Sequence, residues 1–313
     1  MSASGNQMPT DRATTPERIL QRLDWQVIRR LDGLLQGDYR TLFYGDGLDF
    51  ADLREYQLED DIRHIDWNVT ARTNSLHVRQ YVEDREITSW FLLDLSPSMG
   101  FGSEKRSKEN VLVDLVTTLA RLLTRHGNRV GAIIYSNRID KTIPPGGGRN
   151  QVLRLTRELL RAADSPLKTM TDLSELLNAG LNTFKRRSLV FVVSDFISQP
   201  GWHQPLSVLN RRHELIGIRL WDVREVELPN IGLIVTEDSE TGEQLLVDTS
   251  NPDFRRRFFD AAQRRNEILN SDLKRAGVDL YAISTEDNLV NFIVRMASLR
   301  KKRRSYNQTS NLA

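Results

Sequence analysis

The chain has 313 residues, of which 39% are hydrophobic and 27% are charged, as in ordinary globular proteins. Its 44 basic and 42 acidic residues leave a net charge of +2, so no global field selects nucleic acid or a membrane as the partner. The lack of cysteine excludes disulfides and thiolate metal sites. Residues 1–14 are polar, without the apolar core of a signal peptide, and we expect them to be disordered. We therefore expect a cytoplasmic protein without a membrane-spanning helix.

The first predicted helix covers residues 16–35. Its apolar residues recur three or four positions apart, which is the spacing of one helix face. They are Ile19, Leu20, Leu23, Val27, Leu31 and Leu34. Thr15 stands before Pro16 as a suitable N-cap, and Gly37 lies just beyond the predicted end.

The next segment, 37–86, is rich in aspartate, arginine and aromatic residues and lacks clean periodicity, apart from a predicted strand at 76–83. Composition favours a mixed-charge loop over a functional site. We expect buried or half-buried ion pairs to hold this annex against the sheet domain that follows. The residues expected at these pairs are Asp60, Asp61, Arg63, Asp66, Trp67 and Arg72. A functional surface built from the same residues is the alternative.

From residue 88 onward strands and helices alternate, and most of the strands are almost entirely apolar. The predicted strands are 89–95, 129–136, 139–143, 188–195, 213–220 and 278–284. The predicted helices are 105–126, 149–163, 172–183, 252–276 and 288–299. This alternation predicts an α/β fold with a doubly wound, mostly parallel sheet covered by helices on both faces. Period-two alternation around "SETGE" predicts a β-hairpin inserted at 232–249.

These patterns divide the chain into four parts. They are a disordered amino terminus at 1–14, the helix and annex at 15–87, the sheet domain at 88–299, and a basic and polar tail at 300–313. A solvated helix end is the simplest explanation of the basic run "RKKRR" at 300–304. Contact with nucleic acid, acidic lipid or an acidic protein is the alternative.

Polar side chains follow two of the predicted core strands, at the point where each strand ends. In "WFLLDLSPSMG" an aspartate ends the strand and two serines follow at alternate positions. A second aspartate ends the strand in "FVVSDF", and a threonine precedes the helix in "KTMTDLSELL". Ligands of such sheets bind outside the carboxyl ends of the strands, so we expect these side chains to meet at one edge. The candidate residues are Asp94, Ser96, Ser98, Thr171 and Asp195.

Two carboxylates and three hydroxyls form an all-oxygen set, which suits a hard cation such as Mg²⁺, or Mn²⁺ in its place, better than zinc or copper. One coordination position would remain for water or a partner's carboxylate. A simpler interpretation is that Asp94, Ser96 and Ser98 form a strand-end turn and that Thr171 caps a helix. Neither glycine-rich run, at 100–110 or 144–150, has the spacing of a nucleotide-binding loop.

The order D-x-S-x-S, then T-D, then S-D resembles the metal-ion-dependent adhesion site (MIDAS) of von Willebrand factor A domains. Upstream, "YGDGLDFADLREYQLEDDIRHIDWNVTAR" is similar to the signature of the bacterial domain-of-unknown-function 58 (DUF58) family. Together the resemblances cover roughly residues 35–300. They imply Mg²⁺ binding through the five residues, a role in protein–protein contact, and partnership with AAA+ ATPases of the MoxR type.

We therefore expect a non-catalytic, Mg²⁺-dependent interaction module in a chaperone-like or assembly role, whose partner donates an Asp or Glu to the metal. One alternative is a Mg²⁺-dependent phosphohydrolase of the haloacid-dehalogenase type, with Asp94 as nucleophile. That chemistry needs a second carboxylate two residues on, where this chain has Ser96. The other alternative is nucleic-acid binding through the carboxyl-terminal tail.

Overall fold

The computed structural model describes residues 15–35, 52–57, 62, 65, 67–73, 75–80, 88–103, 106–163, 170–238 and 241–310. The predicted disordered segment 1–14 lies outside these residues. So do four of the charged residues expected to form ion pairs in the annex, namely Asp60, Asp61, Arg63 and Asp66.

The centre of the molecule is a six-stranded sheet in the order β12-β9-β8-β3-β6-β7. All neighbouring strands are parallel except the edge strand β7, which pairs antiparallel with β6. In chain order the described strands are β1 Asp52–Glu55, β2 His77–Gln80, β3 Thr88–Asp94, β4 Gly102–Ser103, β5 Arg106–Ser107, β6 Arg129–Tyr135, β7 Ile139–Gly146, β8 Leu189–Ser194, β9 Glu214–Trp221, β10 Leu233–Glu237, β11 Gln244–Asp248 and β12 Asp279–Ser284. The predicted doubly wound, mostly parallel sheet is confirmed.

Helices cover both faces of this sheet, which explains why its central strands are apolar along their whole length. Along β3, Phe91 and Leu93 pack into one layer, whereas Trp90 and Leu92 pack into the other. The described α-helices are Pro16–Leu23, Arg29–Leu34, Trp67–Thr73, Lys108–Arg125, Gly148–Ala163, Leu173–Thr183, His203–Arg212, Pro252–Ala276 and Leu289–Ser310.

The amino-terminal helix is interrupted by a π-helical stretch, Asp24–Ile28, between Pro16–Leu23 and Arg29–Leu34. The predicted N-cap is confirmed, since the Thr15 side chain accepts a hydrogen bond from the Arg18 N–H. Its apolar stripe is part of the main core, with Leu20 and Leu31 fully buried. Leu34, predicted to share that stripe, is instead exposed because the helix ends there.

The annex contains a small antiparallel pair, β1 with β2, and the helix Trp67–Thr73. Strand β2 corresponds to the strand predicted at 76–83. Trp67 and Arg72 are exposed, so the expectation that they help to bury ion pairs is wrong.

Near the carboxyl terminus the structure differs from the sequence prediction in two respects. The last helix runs Leu289–Ser310, past the predicted end at 299, so most of the predicted tail continues a helix. Arg300 is buried and donates to Glu214, and Arg303 pairs with Asp279, so part of the basic run forms ion pairs within the molecule.

Earlier in the chain, the structure contains a helix that was not predicted, His203–Arg212.

The inserted hairpin is confirmed by the antiparallel pairing of β10 with β11. The glycine-rich run 144–150 lies mostly within regular structure, because β7 extends to Gly146 and the next helix begins at Gly148. Within the part of the chain that the structure describes, no helix is both long and apolar enough to cross a membrane.

Candidate metal centre

The carboxyl ends of β3 and β8 place the two predicted aspartates at the same edge of the sheet. The strands run parallel, with Leu93 opposite Val193, so the residues that follow leave the sheet side by side. Asp94 and Asp195 are both almost completely buried at this edge. This is the position at which doubly wound sheets bind their ligands.

Asp94 is held by two hydrogen bonds that orient its carboxylate. Its Oδ1 accepts from the Ser96 N–H at 2.9 Å, and its Oδ2 accepts from the Ser194 hydroxyl at 2.6 Å. Burial, together with repulsion from Asp195, raises the pKa of Asp94 to about 6, although the hydrogen bonds from Ser194 and Ser96 act in the opposite direction. The Asp195 carboxylate therefore lies close enough to oppose the ionisation of Asp94.

The two serines of the opening motif lie in the tight turn after β3. The Ser96 and Ser98 hydroxyl oxygens are 3.2 Å apart, and both residues are buried. A 3₁₀ turn, Pro97–Gly100, follows Ser96, whose side chain makes no capping hydrogen bond to the described residues of that turn. The bond from the Ser96 N–H to Asp94 is the contact that a strand-end turn predicts, whereas the contact between the two serine hydroxyls is not part of such a turn.

Thr171 lies buried between the ends of β6 and β8. Its carbonyl oxygen accepts from the Ser198 hydroxyl at 3.1 Å and from the Gln199 N–H at 3.0 Å. The next residue, Asp172, donates its N–H to the Tyr135 hydroxyl, and Tyr135 stands opposite Asp94 across β3 and β6. The predicted helix cap at Thr171 is wrong, since the Asp172 side chain accepts from the Ser174 N–H and caps the helix.

Asp195 begins a sharp turn after β8. Its Oδ1 accepts from the Ile197 N–H at 2.9 Å, while Phe196 between them has a φ of 59°. This left-handed conformation is uncommon for a residue with a large side chain and often occurs at functional sites. The Phe196 ring packs against Trp202, with the ring centroids 5.6 Å apart.

A lysine that sequence reasoning missed contacts this site. The Lys108 ammonium lies 2.7 Å from Asp195 Oδ2 and 2.5 Å from Glu225 Oε1, and the side chain is fully buried. Burial alone would lower the pKa of Lys108, but the two carboxylates outweigh it and raise that pKa above its ordinary value. Nothing in the local sequence distinguishes Lys108 from the exposed lysines that commonly begin helices.

The hydrogen-bond network continues from Glu225 to the end of β12. Glu225 and Asp222 form a capping box around the short 3₁₀ helix Val223–Glu225, in which the Asp222 N–H donates to Glu225 Oε2 at 3.1 Å. The Thr285 hydroxyl, just after β12, donates to Asp222 Oδ2 at 2.6 Å. The ends of β8, β9 and β12 are thus joined by one chain of charged and polar contacts.

The chemistry of this donor set fits a hard divalent cation, since all five residues are buried and Asp94, Ser96, Ser98 and Asp195 lie at the carboxyl ends of β3 and β8. No group of three or more His, Cys, Asp or Glu residues that could hold a metal occurs in the described parts of the chain. An ion at this edge would therefore depend on hydroxyl oxygens as well as on Asp94 and Asp195. Lys108 already places a positive charge beside Asp195. The five oxygen donors alone would not predict this lysine.

The strand order, with the antiparallel edge strand β7, is that of a von Willebrand factor A-like (VWA-like) domain, as the sequence resemblance implied. Among solved structures, an aerotolerance-related membrane protein from Bacteroides fragilis matches with a TM-score of 0.46 and 15% identity, over 69% of this chain and 99% of that chain. The VWA domain of SpRpn10 matches with a TM-score of 0.36 and 11% identity, over 66% and 94%.

Comparison of sequences finds a relative of higher identity than these solved structures. An uncharacterized protein of Mycobacterium tuberculosis is 32% identical over 285 residues, which are 90% of this chain and 89% of that protein. The family described as "Protein of unknown function DUF58" matches residues 52–268, which include β3, β8 and all five candidate ligands. The chain belongs to the DUF58 family.

Proposed function

We propose that this chain is a non-catalytic, Mg²⁺-dependent protein-interaction module. Asp94 and Asp195 would supply the negative charge, and the hydroxyls of Ser96, Ser98 and Thr171 would supply neutral oxygen ligands. The bound ion would attract a carboxylate oxygen of the partner protein as its remaining ligand. The VWA-like fold and membership of the DUF58 family support an interaction role.

The observation that carries this proposal is the pair of buried, mutually repelling carboxylates. Asp94 and Asp195 are almost fully buried, and burial together with repulsion from Asp195 raises the pKa of Asp94. Burying two like charges side by side destabilises a fold unless cations compensate them. Lys108 pairs with Asp195, so the buried charge of Asp94 is the one that a divalent ion would compensate.

The surrounding residues hold the donors in place. Ser194 donates to Asp94 and accepts from the Phe196 N–H, so it fixes the carboxylate and the turn after β8 together. Ser198 does the same for the Thr171 segment, because it donates to the Thr171 carbonyl and accepts from the Leu173 N–H. Hydrogen bonds from neighbouring residues to metal ligands commonly orient those ligands.

Hydrogen bonding at Asp94 favours a ligand over a nucleophile. Both of its oxygens accept hydrogen bonds, from Ser96 and Ser194, and a serine occupies the position where a phosphohydrolase of this type needs a carboxylate.

By family resemblance, we propose a MoxR-type AAA+ ATPase, or a client presented to one, as the partner. A role in assembly or chaperone-like remodelling would follow.

Calorimetric titration with Mg²⁺ tests the metal dependence. We expect the wild-type protein to bind the ion and Asp94→Asn to lose most of the affinity, since the substitution removes charge but keeps the shape and the acceptor for Ser96. Asp248→Asn is the matched control, because Asp248 also accepts from a backbone N–H two residues on and from a serine hydroxyl, but lies at the exposed base of the hairpin outside the proposed ligand set. Equal binding by all three proteins would contradict the proposed ligands.

Affinity capture with and without a chelator tests the interaction. We expect the MoxR-type ATPase or its client to be retained in Mg²⁺ and released by chelation, with no retention by Asp94→Asn. Hydrolysis of compounds in a phosphoester panel by the wild-type protein, lost in Asp94→Asn, would support the enzyme instead.

A further inference from the structure

Lys108 places its ammonium 2.7 Å from a carboxylate oxygen of Asp195, one of the proposed metal ligands. We infer that Lys108 is a tethered cation that compensates Asp195 in the metal-free protein and competes with the divalent ion for that carboxylate. The inference rests on the proposed metal site and concerns how binding at that site is regulated.

The geometry of Lys108 is unusual for a lysine. Its side chain is fully buried, and its ammonium contacts two carboxylates from different loops, Asp195 after β8 and Glu225 after β9. Lysines are almost never buried unless they are paired. The position also has no helical explanation, because Lys108 is the first residue of the helix Lys108–Arg125, where the helix dipole disfavours a positive charge. The contacts with the carboxylates must therefore account for its burial.

The charges around Lys108 leave room for one more cation, although binding it has a cost. Three carboxylates, Asp94, Asp195 and Glu225, outnumber two cations, the Lys108 ammonium and the Arg219 guanidinium that interacts with Asp195 and Glu225, so the cluster retains a negative excess when all five are charged. A divalent ion beside Asp195 would offset that excess. It would also place two positive centres on one carboxylate, and their repulsion would be strong in a buried site.

Glu225 gives the lysine a second partner when an ion takes Asp195. The ammonium can keep its contact with Glu225, which belongs to the capping box with Asp222. Asp222 in turn accepts from Thr285 after β12. Occupancy of the metal site would thereby be linked to the loops that follow β9 and β12, at the same edge where a partner would dock.

A purely structural ion pair predicts a different outcome from a competing cation. If Lys108 only pairs with carboxylates, its removal should destabilise the fold and leave intrinsic metal affinity unchanged or lower. If Lys108 competes with the ion, its removal should destabilise the metal-free fold and raise metal affinity. The two effects have opposite signs for binding, so one variant distinguishes them.

The experiment compares Mg²⁺ binding to wild-type protein, Lys108→Met and Lys185→Met by calorimetry, with thermal unfolding in chelator and in Mg²⁺. Lys185 is a suitable control because it is exposed, precedes β8 at the opposite end of the strand, and donates to the Asn182 carbonyl. We expect Lys108→Met to bind Mg²⁺ at least about tenfold more tightly. We expect its Tm in chelator to fall by about 5 °C or more and to recover in Mg²⁺. Lys185→Met should match the wild type.

Because Lys108→Met leaves two carboxylates without their ammonium, it could fail to fold. The double variant Lys108→Met with Glu225→Gln removes one of those charges and serves as the second test, compared with Glu225→Gln alone. We expect the double variant to bind Mg²⁺ more tightly than Glu225→Gln. Weaker or equal binding would overturn the inference.

The outcomes separate this inference from the proposed function. Equal, measurable binding by wild type and Lys108→Met overturns the competition and leaves the metal-dependent function standing. Binding by Lys108→Met alone supports the competition and overturns metal dependence in the wild type. Binding by neither protein overturns both.

Discussion

The carboxyl edge of the sheet and the β10–β11 hairpin depart in opposite directions from the rule that charged side chains are exposed and apolar ones are buried. At the sheet edge, Asp94, Lys108 and Asp195 are almost completely removed from solvent. On the hairpin, large apolar side chains are exposed, and these are Leu233, Val235, Leu245 and Leu246.

The difference shows where single side chains matter for stability. Lys108 and Asp195 form a buried ion pair at the sheet edge, so removing either one leaves the other buried charge without that partner. Each apolar side chain on the hairpin already contacts water, so shortening it exposes little new surface. The edge should therefore be sensitive to substitution and the hairpin should tolerate it.

The largest expected effect is that of Asp195→Ala. It removes one of the two carboxylates that neutralise Lys108 and should lower the free energy of unfolding by about 3–5 kcal/mol, as for other broken buried ion pairs. Urea unfolding in chelator measures this change. Asp253→Ala is the control, because Asp253 pairs with Arg256 on an exposed helix surface and its loss should change stability far less. Similar effects of the two substitutions would contradict the comparison.

An intermediate effect is expected for Ser194→Ala. This change removes the hydroxyl that donates to Asp94 and accepts from the Phe196 N–H, and should lower the free energy of unfolding by about 1–3 kcal/mol. Ser250→Ala removes a hydroxyl that also donates to an aspartate, Asp248, at the exposed base of the hairpin. Chemical unfolding should show almost no change for Ser250→Ala. A larger loss at Ser250 than at Ser194 would reverse the expected order.

The smallest effect should come from Leu246→Ser on the hairpin. Leu246 is 71% exposed, so we expect a change within about 0.5 kcal/mol in the free energy of unfolding. Leu92→Ser, in the fully buried strand β3, provides the contrast and should be severely destabilising. Strong destabilisation by Leu246→Ser would show that the hairpin contributes to a packed core.

The fold could be predicted because its signals are local. Apolar runs mark β3 and β8, helical periodicity marks the elements between them, and the ends of the parallel strands follow from the strand positions. The same reasoning led to Asp94 and Asp195 as neighbours at one edge. The distinction between Thr171 and Asp172 as the helix cap could not be predicted, because both residue types are good N-caps and only the observed hydrogen bond selects one.

Lys108 could not be predicted because its partners are distant in the chain. Asp195 lies 87 residues away and Glu225 lies 117 residues away. No periodicity connects them, and a lysine at the start of a helix ordinarily indicates exposure. The length of the last helix was missed for a similar reason, since Arg300 is buried by its contact with Glu214, 86 residues earlier.

The left-handed backbone at Phe196 links the proposed metal site to an aromatic contact beyond it. Consecutive amide groups on either side of this bend are committed to the Ser194 hydroxyl and to Asp195 Oδ1. A bulky residue keeps so unfavourable a conformation only when neighbouring packing opposes its relaxation, and here the indole of Trp202 provides that packing. The direction of the Asp195 carboxylate is thus set partly by an aromatic contact outside the ligand set. We expect a smaller side chain in place of Trp202 to rotate the carboxylate, although every oxygen donor is retained.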